Sequence, residues 1–337
     1  MTTGRSTPPE DAVTPLVRQR IAPAPRRSAA DWLRRQWALA RRPRIESGWA
    51  SVCGVGHERN QDAVLAAAPL FAVADGVGGG SAGELASSQM LAWCRAIQPA
   101  DWRRPEALAA KLRESDAALA GALERLNPGG RSATTFAGAW LRRSGHGVVA
   151  HVGDSRVLQL RPQPGACAWR LTRLTADQTY GNLGELPPEG SRADDPARMV
   201  GVGAIGEPPV ARLRLRENDW LLLCSDGLHR IVPEPTLAAS CQRAAAAPLH
   251  ALAQQLAQAA AQAGSRDDIS VLLVRLNPLG GARIPFWLAL AASLIAALAL
   301  LAGIRSRPTD ATGDMPAPLP AASAPSTAGS AAPLSPR

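Results

Sequence analysis

Five short segments of this chain place an aspartate at the edge of an apolar run, beside glycine or a small polar residue. They are Asn60-Gln61-Asp62, Phe71–Gly79 (FAVADGVGG), His151–Arg156 (HVGDSR), Leu221–Gly227 (LLLCSDG) and Gly264–Ser270 (GSRDDIS). Any one Asp-Gly pair after a strand is simply a turn, because both residues suit turn dihedrals. Its recurrence after runs too apolar to face water points to a shared site. Carboxylates gathered at strand ends repel one another at low dielectric, and a divalent cation removes that cost. Hard cations such as Mn²⁺ and Mg²⁺ select carboxylate, carbonyl and water oxygens. A glycine beside the ligand lets its own carbonyl approach the ion. Zinc is not indicated, since the histidines are scattered at 57, 146, 151, 229 and 250 and the cysteines at 53, 94, 167, 224 and 241 form no CxxC pair. An odd number of widely spaced cysteines fits reduced thiols better than a disulfide framework.

Positioning these aspartates requires strands that end at one rim. Apolar runs at Trp49–Cys53, Leu70–Ala74, Thr134–Leu141, Gly147–Val152, Val157–Leu160, Trp220–Cys224 and Ile269–Leu276 read as strands. Gly83–Ile97, Pro105–Leu126 and Thr236–Ala263 are Ala/Leu-rich and read as helices. Strands in consecutive groups with helices between them predict packed sheets covered by helices, within one globular domain over 46–277. His151 and Cys224, inside apolar strands, read as core residues rather than ligands. The Gly/Pro/acid-rich stretch 179–198 reads as a loop, and as a place where substrates could be discriminated.

In this order and spacing, the segments resemble the motifs of the metal-dependent protein phosphatases of type 2C (the PPM family). The corresponding stretches are Gly54–Asp62, Asp75–Ser87 (DGVGGGSAGELAS), Ala133-Thr134-Thr135, Gly153–Arg156, Leu174–Gln178, Ser225–Leu228 and Asp267–Ser270. The resemblance implies an α+β fold, a four-layer α-β-β-α sandwich with two central antiparallel sheets and the site in a cleft at one end. It implies two Mn²⁺ or Mg²⁺ ions, with a third position known in bacterial relatives. Asp75 would bridge two ions, with the Gly76 carbonyl on one of them. Asp226 and Asp267 would complete the ligands of the other, Asp154 would serve the additional position, and Asp62 and Gln61 would act from behind the ligands. Hydrolysis of phosphoserine or phosphothreonine by a water activated between two metals would follow, without a covalent phospho-enzyme. The absence of a single-cysteine nucleophile signature agrees. Asp194–Gly206 (DDPARMVGVGAIG) also resembles members found beside type VI secretion systems.

Several positions depart from that pattern. His57 stands at the place of the phosphate-binding arginine, with Arg59 two residues on. Histidine lacks the bidentate fork of arginine, so His57 would bind phosphate more weakly or with pH sensitivity. Gln61 replaces a frequent Glu and should loosen one metal. Val77 replaces a general-acid histidine of eukaryotic members. Gln178 and Asp268 replace the usual His and Asn, and both look tolerable.

The flanks carry other information. The formal net charge of +9 is concentrated in 1–45, where ten arginines face Glu10, Asp11 and Asp31. Without a basic stripe interleaved with aromatics, nucleic acid is not the expected partner. Ala29–Ala40 could form an amphipathic helix on anionic lipid, within a segment otherwise expected to be disordered. Ile284–Ile304 holds 21 residues without a charge. At 1.5 Å per residue this is about 31 Å, enough to cross a bilayer. The Pro/Ala/Ser-rich tail 305–337 should be disordered. The Arg-rich start and the lack of an apolar leader favour a single-pass protein of the inner membrane with its N-terminus inside, so that a monomeric catalytic domain sits in the cytoplasm. Phosphoproteins, and a cognate Ser/Thr kinase or its targets, would then be its partners. The competing expectation, motivated by His57 and Gln61, is a catalytically weak or inactive phosphoprotein-binding scaffold.

Overall fold

The computed structural model describes residues 44–277, apart from Gly79, Asn127, Arg131, Pro164, 166–168 and Ala204. The basic segment up to residue 43, the span 284–304 and the tail 305–337 lie outside the described residues. Among those described, no helix is long and apolar enough to cross a membrane.

Two five-stranded antiparallel sheets make up the fold. The first runs β1 (Arg44–Val52), β12 (Ile269–Asn277), β11 (Trp220–Cys224), β8 (Arg156–Arg161), β9 (Arg170–Arg173). The second runs β10 (Val210–Arg214), β7 (His146–Val152), β6 (Phe136–Leu141), β3 (Leu70–Ala74), β2 (Ala63–Ala67). A small ladder joins β4 (Gly76–Val77) to β5 (Ala133–Thr134). The helices are α1 (Gly80–Ala96), α2 (Pro105–Leu126), the short α3 (Tyr180–Leu183) and α4 (Asp226–His229), then α5 (Glu234–Arg243) and α6 (Leu249–Gln262).

The strands without a polar face are explained by three stacked apolar layers. In β11, Leu221 and Leu223 join Phe71, Val73, Leu272 and Val274 between the sheets. The alternate residues Trp220, Leu222 and Cys224 face Leu237, Leu252 and Leu256 of α5 and α6. Likewise Ala72 and Ala74 of β3 pack against Met90, Leu112 and Leu119 of α1 and α2. With period-2 alternation, both faces of a central strand are dry, so its sequence reads as one apolar run. His151 and Cys224 are buried, as expected of core residues.

Three details depart from the expected elements. β1 begins at Arg44 rather than Trp49, because Arg44 to Val52 pair continuously with β12. The helix expected over Thr236–Ala263 is two helices, with α6 starting after Pro248, which cannot donate a helical hydrogen bond. Strands β2, β9 and β10 were not expected; β9 and β10 lie at sheet edges with most of their residues exposed.

Register fixes the site. Cys224, the last residue of β11, pairs with Val271 near the start of β12 and with Arg156 at the start of β8. Ala74, ending β3, pairs with Ala63, starting β2, while Phe136, starting β6, pairs with Val152, ending β7. Only residues 153–155 separate β7 of one sheet from β8 of the other, so the two rims meet at one end of the sandwich.

Candidate active site

At that end lies a cleft of about 410 Å³ whose lining includes Asp75, Gly76, Asp154, Asp226 and Asp267, together with His57 and Gln61. Asp75 leaves β3 with its main chain gripped by the Ala-Thr-Thr segment. Thr135 N–H and the Thr134 hydroxyl donate to the Asp75 carbonyl at 2.8 and 2.9 Å. Thr135 Oγ1 in turn accepts from Asp75 N–H at 3.3 Å and meets Ser155 Oγ at 2.7 Å. Gly76 follows where nothing larger fits: a Cβ there would lie 2.2 Å from the Gly83 carbonyl oxygen and 2.6 Å from that of Gln61. Gly153 adopts φ +93°, the left-handed turn that carries the chain from one sheet to the other and presents Asp154.

The carboxylates perturb one another as a crowded, dry cluster should. Burial raises the Asp75 carboxyl well above its ordinary range, and repulsion from Asp62, Asp226, Asp267 and Asp154 adds to it. Asp226 is pushed up to about 7, by burial first and then by Asp154, with Arg230 opposing. Asp62 is also pushed up to about 7; burial dominates, hydrogen bonds from Ser270 and Ser225 oppose it, and Asp268 and Asp226 reinforce it. Burial raises Asp154 too, against the attraction of Arg230. Asp226 Oδ1 and Asp62 Oδ1 are buried with no hydrogen-bond donor among the described residues. Such a set of hard oxygens, short of donors and mutually repelling, fits a divalent cation.

Each residue expected at the site can be placed. Asp62 lies behind the cleft, its Oδ2 accepting from Ser225 Oγ at 2.8 Å. The main chain of Gln61 is a junction: its N–H donates to Asp268 Oδ2 at 2.7 Å and its carbonyl accepts from Ser87 Oγ at 2.6 Å. His57 reaches the cleft, but its Nδ1 lies 3.2 Å from Asp268 Oδ1. Arg59 is paired with Glu84 at 3.6 Å and is not part of the cleft lining. Among the described residues, the trio of potential ligand atoms within 4.8 Å of one another is His57, Asp267 and Asp268. The Asp268 oxygens in that trio already accept from Gly54 and Gln61 N–H, both at 2.7 Å, so the trio itself is a poor cage. Asp75, Asp226 and Asp267 converge on the cleft without being drawn to a single point.

Other residues matter here that their sequence motifs left without a role or unnoticed. Asp268, read as a tolerable replacement, organises the loop carrying His57 and Gln61. Gln178, likewise, exchanges two hydrogen bonds with Gly153, its Oε1 accepting and its N–H donating. Arg156 and Asp177, one from each of two motifs, form a bidentate pair with Nε–Oδ1 2.9 Å and Nη2–Oδ2 2.5 Å. His229 Nε2 meets the Asp154 carbonyl at 3.0 Å, and burial followed by Arg156 pushes its pKa down to about 3. The ring is therefore neutral, with Nε2–H donating. Arg230 enters the cleft and pairs with Asp154 and Asp226. The Ser-Asp-Gly-Leu motif gave no signal for His229 or Arg230, which lie just beyond it.

Residues 68–277 match the Stage II sporulation protein E (SpoIIE) family. The serine/threonine protein phosphatase PstP of Mycobacterium tuberculosis is 30% identical over 232 residues, covering 65% of this chain and 43% of that protein. This chain therefore spans less than half the length of that relative. The serine/threonine phosphatase stp of Listeria welshimeri is 29% identical over 230 residues, covering 62% of this chain and 85% of that one. Among solved structures, the PstP catalytic domain in complex with two manganese ions is 28% identical with a TM-score of 0.57, covering 69% of this chain and 98% of that one. PppA, a regulatory component of the type VI secretion system in Pseudomonas aeruginosa, is 27% identical with a TM-score of 0.58, covering 68% and 97%.

Proposed function

This chain belongs to the SpoIIE/type 2C (PPM) family, and from that premise we propose that it is a protein phosphatase dependent on Mn²⁺ or Mg²⁺, acting on phosphoserine and phosphothreonine. The observation that carries this reading is the single cleft into which Asp75, Asp154, Asp226 and Asp267 converge from the rims of two sheets. Asp75 and the Gly76 carbonyl would hold one ion, and Asp75, Asp226 and Asp267 another. When bound, such ions supply Lewis-acid stabilisation of the phosphoryl oxygens and a hydroxide nucleophile at neutral pH. Hydrolysis forms a new P–O bond from water and breaks the bond to the serine or threonine oxygen, leaving inorganic phosphate and a free hydroxyl.

The chain's own residues orient this chemistry. Ser225 holds Asp62, and the two threonines hold Asp75. Val77 borders the cleft where a proton-donating histidine could stand, so the leaving oxygen takes its proton from solvent. His57 would meet the incoming phosphate from beside Asp268.

In the same reading, residues 284–304 anchor the protein in the inner membrane as a single pass, with a monomeric catalytic domain on the cytoplasmic side. Its partners there are a Ser/Thr kinase or that kinase's targets. Resemblance of Asp194–Gly206 to secretion-associated members, together with the likeness to PppA, favours a role beside a type VI apparatus.

The test is phosphate release from a phosphothreonine peptide by the full chain, with Mn²⁺ and with a chelator. Release should require the metal and fall by at least about 100-fold in Asp226→Asn, which removes a ligand charge. Peptide binding without release would replace this reading with the scaffold alternative.

A further inference from the structure

Arg230 lies one helical turn beyond Asp226, its N–H donating to the Asp226 carbonyl at 3.0 Å. Its guanidinium is held by three acceptors. Nε lies 3.0 Å from Asp226 Oδ2 and Nη2 lies 2.9 Å from Asp154 Oδ2. The Asp194 carbonyl accepts from Nη2 at 2.7 Å. One rigid, permanently charged fork thus spans Asp154, in the link between the sheets, and Asp226, just beyond the end of β11. Asp154 is buried to 3% side-chain exposure, and a buried carboxylate needs a counter-charge. Arg230 supplies it from within the chain.

Resting on the metal-dependent reading above, we infer that Arg230 is a built-in cation filling the outer position between Asp154 and Asp226, and that it limits this chain to two divalent ions. A hard ion needs its ligand oxygens about 2.0–2.1 Å away and free of other partners. The guanidinium donates to one oxygen of each carboxylate on this side, so an ion and the fork cannot share the place. The planar fork matches two separated carboxylates in a way that a lysine ammonium would not. The carbonyl of Asp194 completes the fit and leaves the guanidinium little freedom to swing away. Arg230 is in these terms a positioning residue: it sets where divalent charge can collect.

The experiment counts ions. Manganese bound per chain is measured by equilibrium dialysis at saturating Mn²⁺ on the full-length protein, its Arg230→Asp variant and its Arg230→Ala variant, with thermal melts to verify folding. Wild type should hold two, and Arg230→Asp three, with Arg230→Ala answering in its place if the acidic variant does not fold. A wild type holding three, or folded variants still holding two, overturns the inference. A wild type holding none overturns the metal-dependent reading and this inference together. A wild type that holds two and gains a third in the variants, yet releases no phosphate, supports the inference while removing the phosphatase reading.

Discussion

Asp268 and Gly54 are separated by 214 residues, yet the Asp268 carboxylate accepts the Gly54 N–H through Oδ1 at 2.7 Å. Its other oxygen accepts from Gln61 N–H at the same distance. One side chain thereby closes the loop that carries His57 to the cleft. Asparagine would offer only one acceptor oxygen and would point an NH₂ at the other N–H. Asp268→Asn should lower stability by about 1–3 kcal/mol, the cost of a buried donor without a partner. Chemical denaturation of wild type and variant measures it; an unchanged midpoint would refute the closing role.

Asp116 does a similar task for the segment that follows Met199 of the cleft lining. It is buried in α2, and Oδ1 accepts from Gly201 N–H at 2.7 Å and Gly203 N–H at 3.0 Å, while Oδ2 accepts from Ile205 N–H at 3.2 Å. Asp116→Ala should cost about 3 kcal/mol, and Asp116→Asn, which keeps Oδ1, clearly less. Unfolding titrations of the pair would show that order, and equal losses would contradict it.

The crowded carboxylates also set a pH dependence for the metal-free protein. With Asp226 and Asp62 pushed up to about 7 and Asp75 raised well above its ordinary value, the folded state binds more protons than the unfolded chain above about pH 4. The stability gained from these protonated groups is full below that pH and is lost as pH rises through about 7. Melting in EDTA should therefore be lower at pH 7.5 than at pH 5, at roughly 2–4 °C for each kcal/mol in a domain of this size. Mn²⁺ should restore more at pH 7.5 than at pH 5, because it competes with protons for the same oxygens. An equal Mn²⁺ effect at both values would contradict the proton-binding account.

His57 gives a kinetic prediction. Its Nδ1 is engaged by Asp268, and a single imidazole cannot grip a phosphate with two parallel N–H donors. His57→Arg should lower KM for a phosphopeptide severalfold with kcat little changed. A raised KM would show instead that the imidazole is the better partner in this loop.

What the sequence made legible follows from burial. The central strands β3, β6, β7, β11 and β12 carry long apolar runs because both faces of those runs are dry, and every one was recognisable. The edge strands β9 and β10, with their exposed arginines, carry no such signal, and Arg212 or Arg170 could as well belong to loops. At the site, the aspartates stood out because glycine or serine flanks them after apolar runs. Arg230, His229 and Asp116 did not, since each depends on a partner 36 to 89 residues away. Arg156 and Asp177 were visible as motif residues, but only their bidentate contact shows that they brace the strand rather than take part in chemistry.

The short 153–155 link between the two sheets has a mechanical consequence. Asp75 stands on the rim of one sheet and Asp226 on the rim of the other, so a ligand gripping both is a rivet through the open end of the sandwich. Loading the cleft should therefore stiffen the seam between the layers as well as equip it for chemistry, and slow hydrogen exchange at the first amides of β8 and β12 would be its signature.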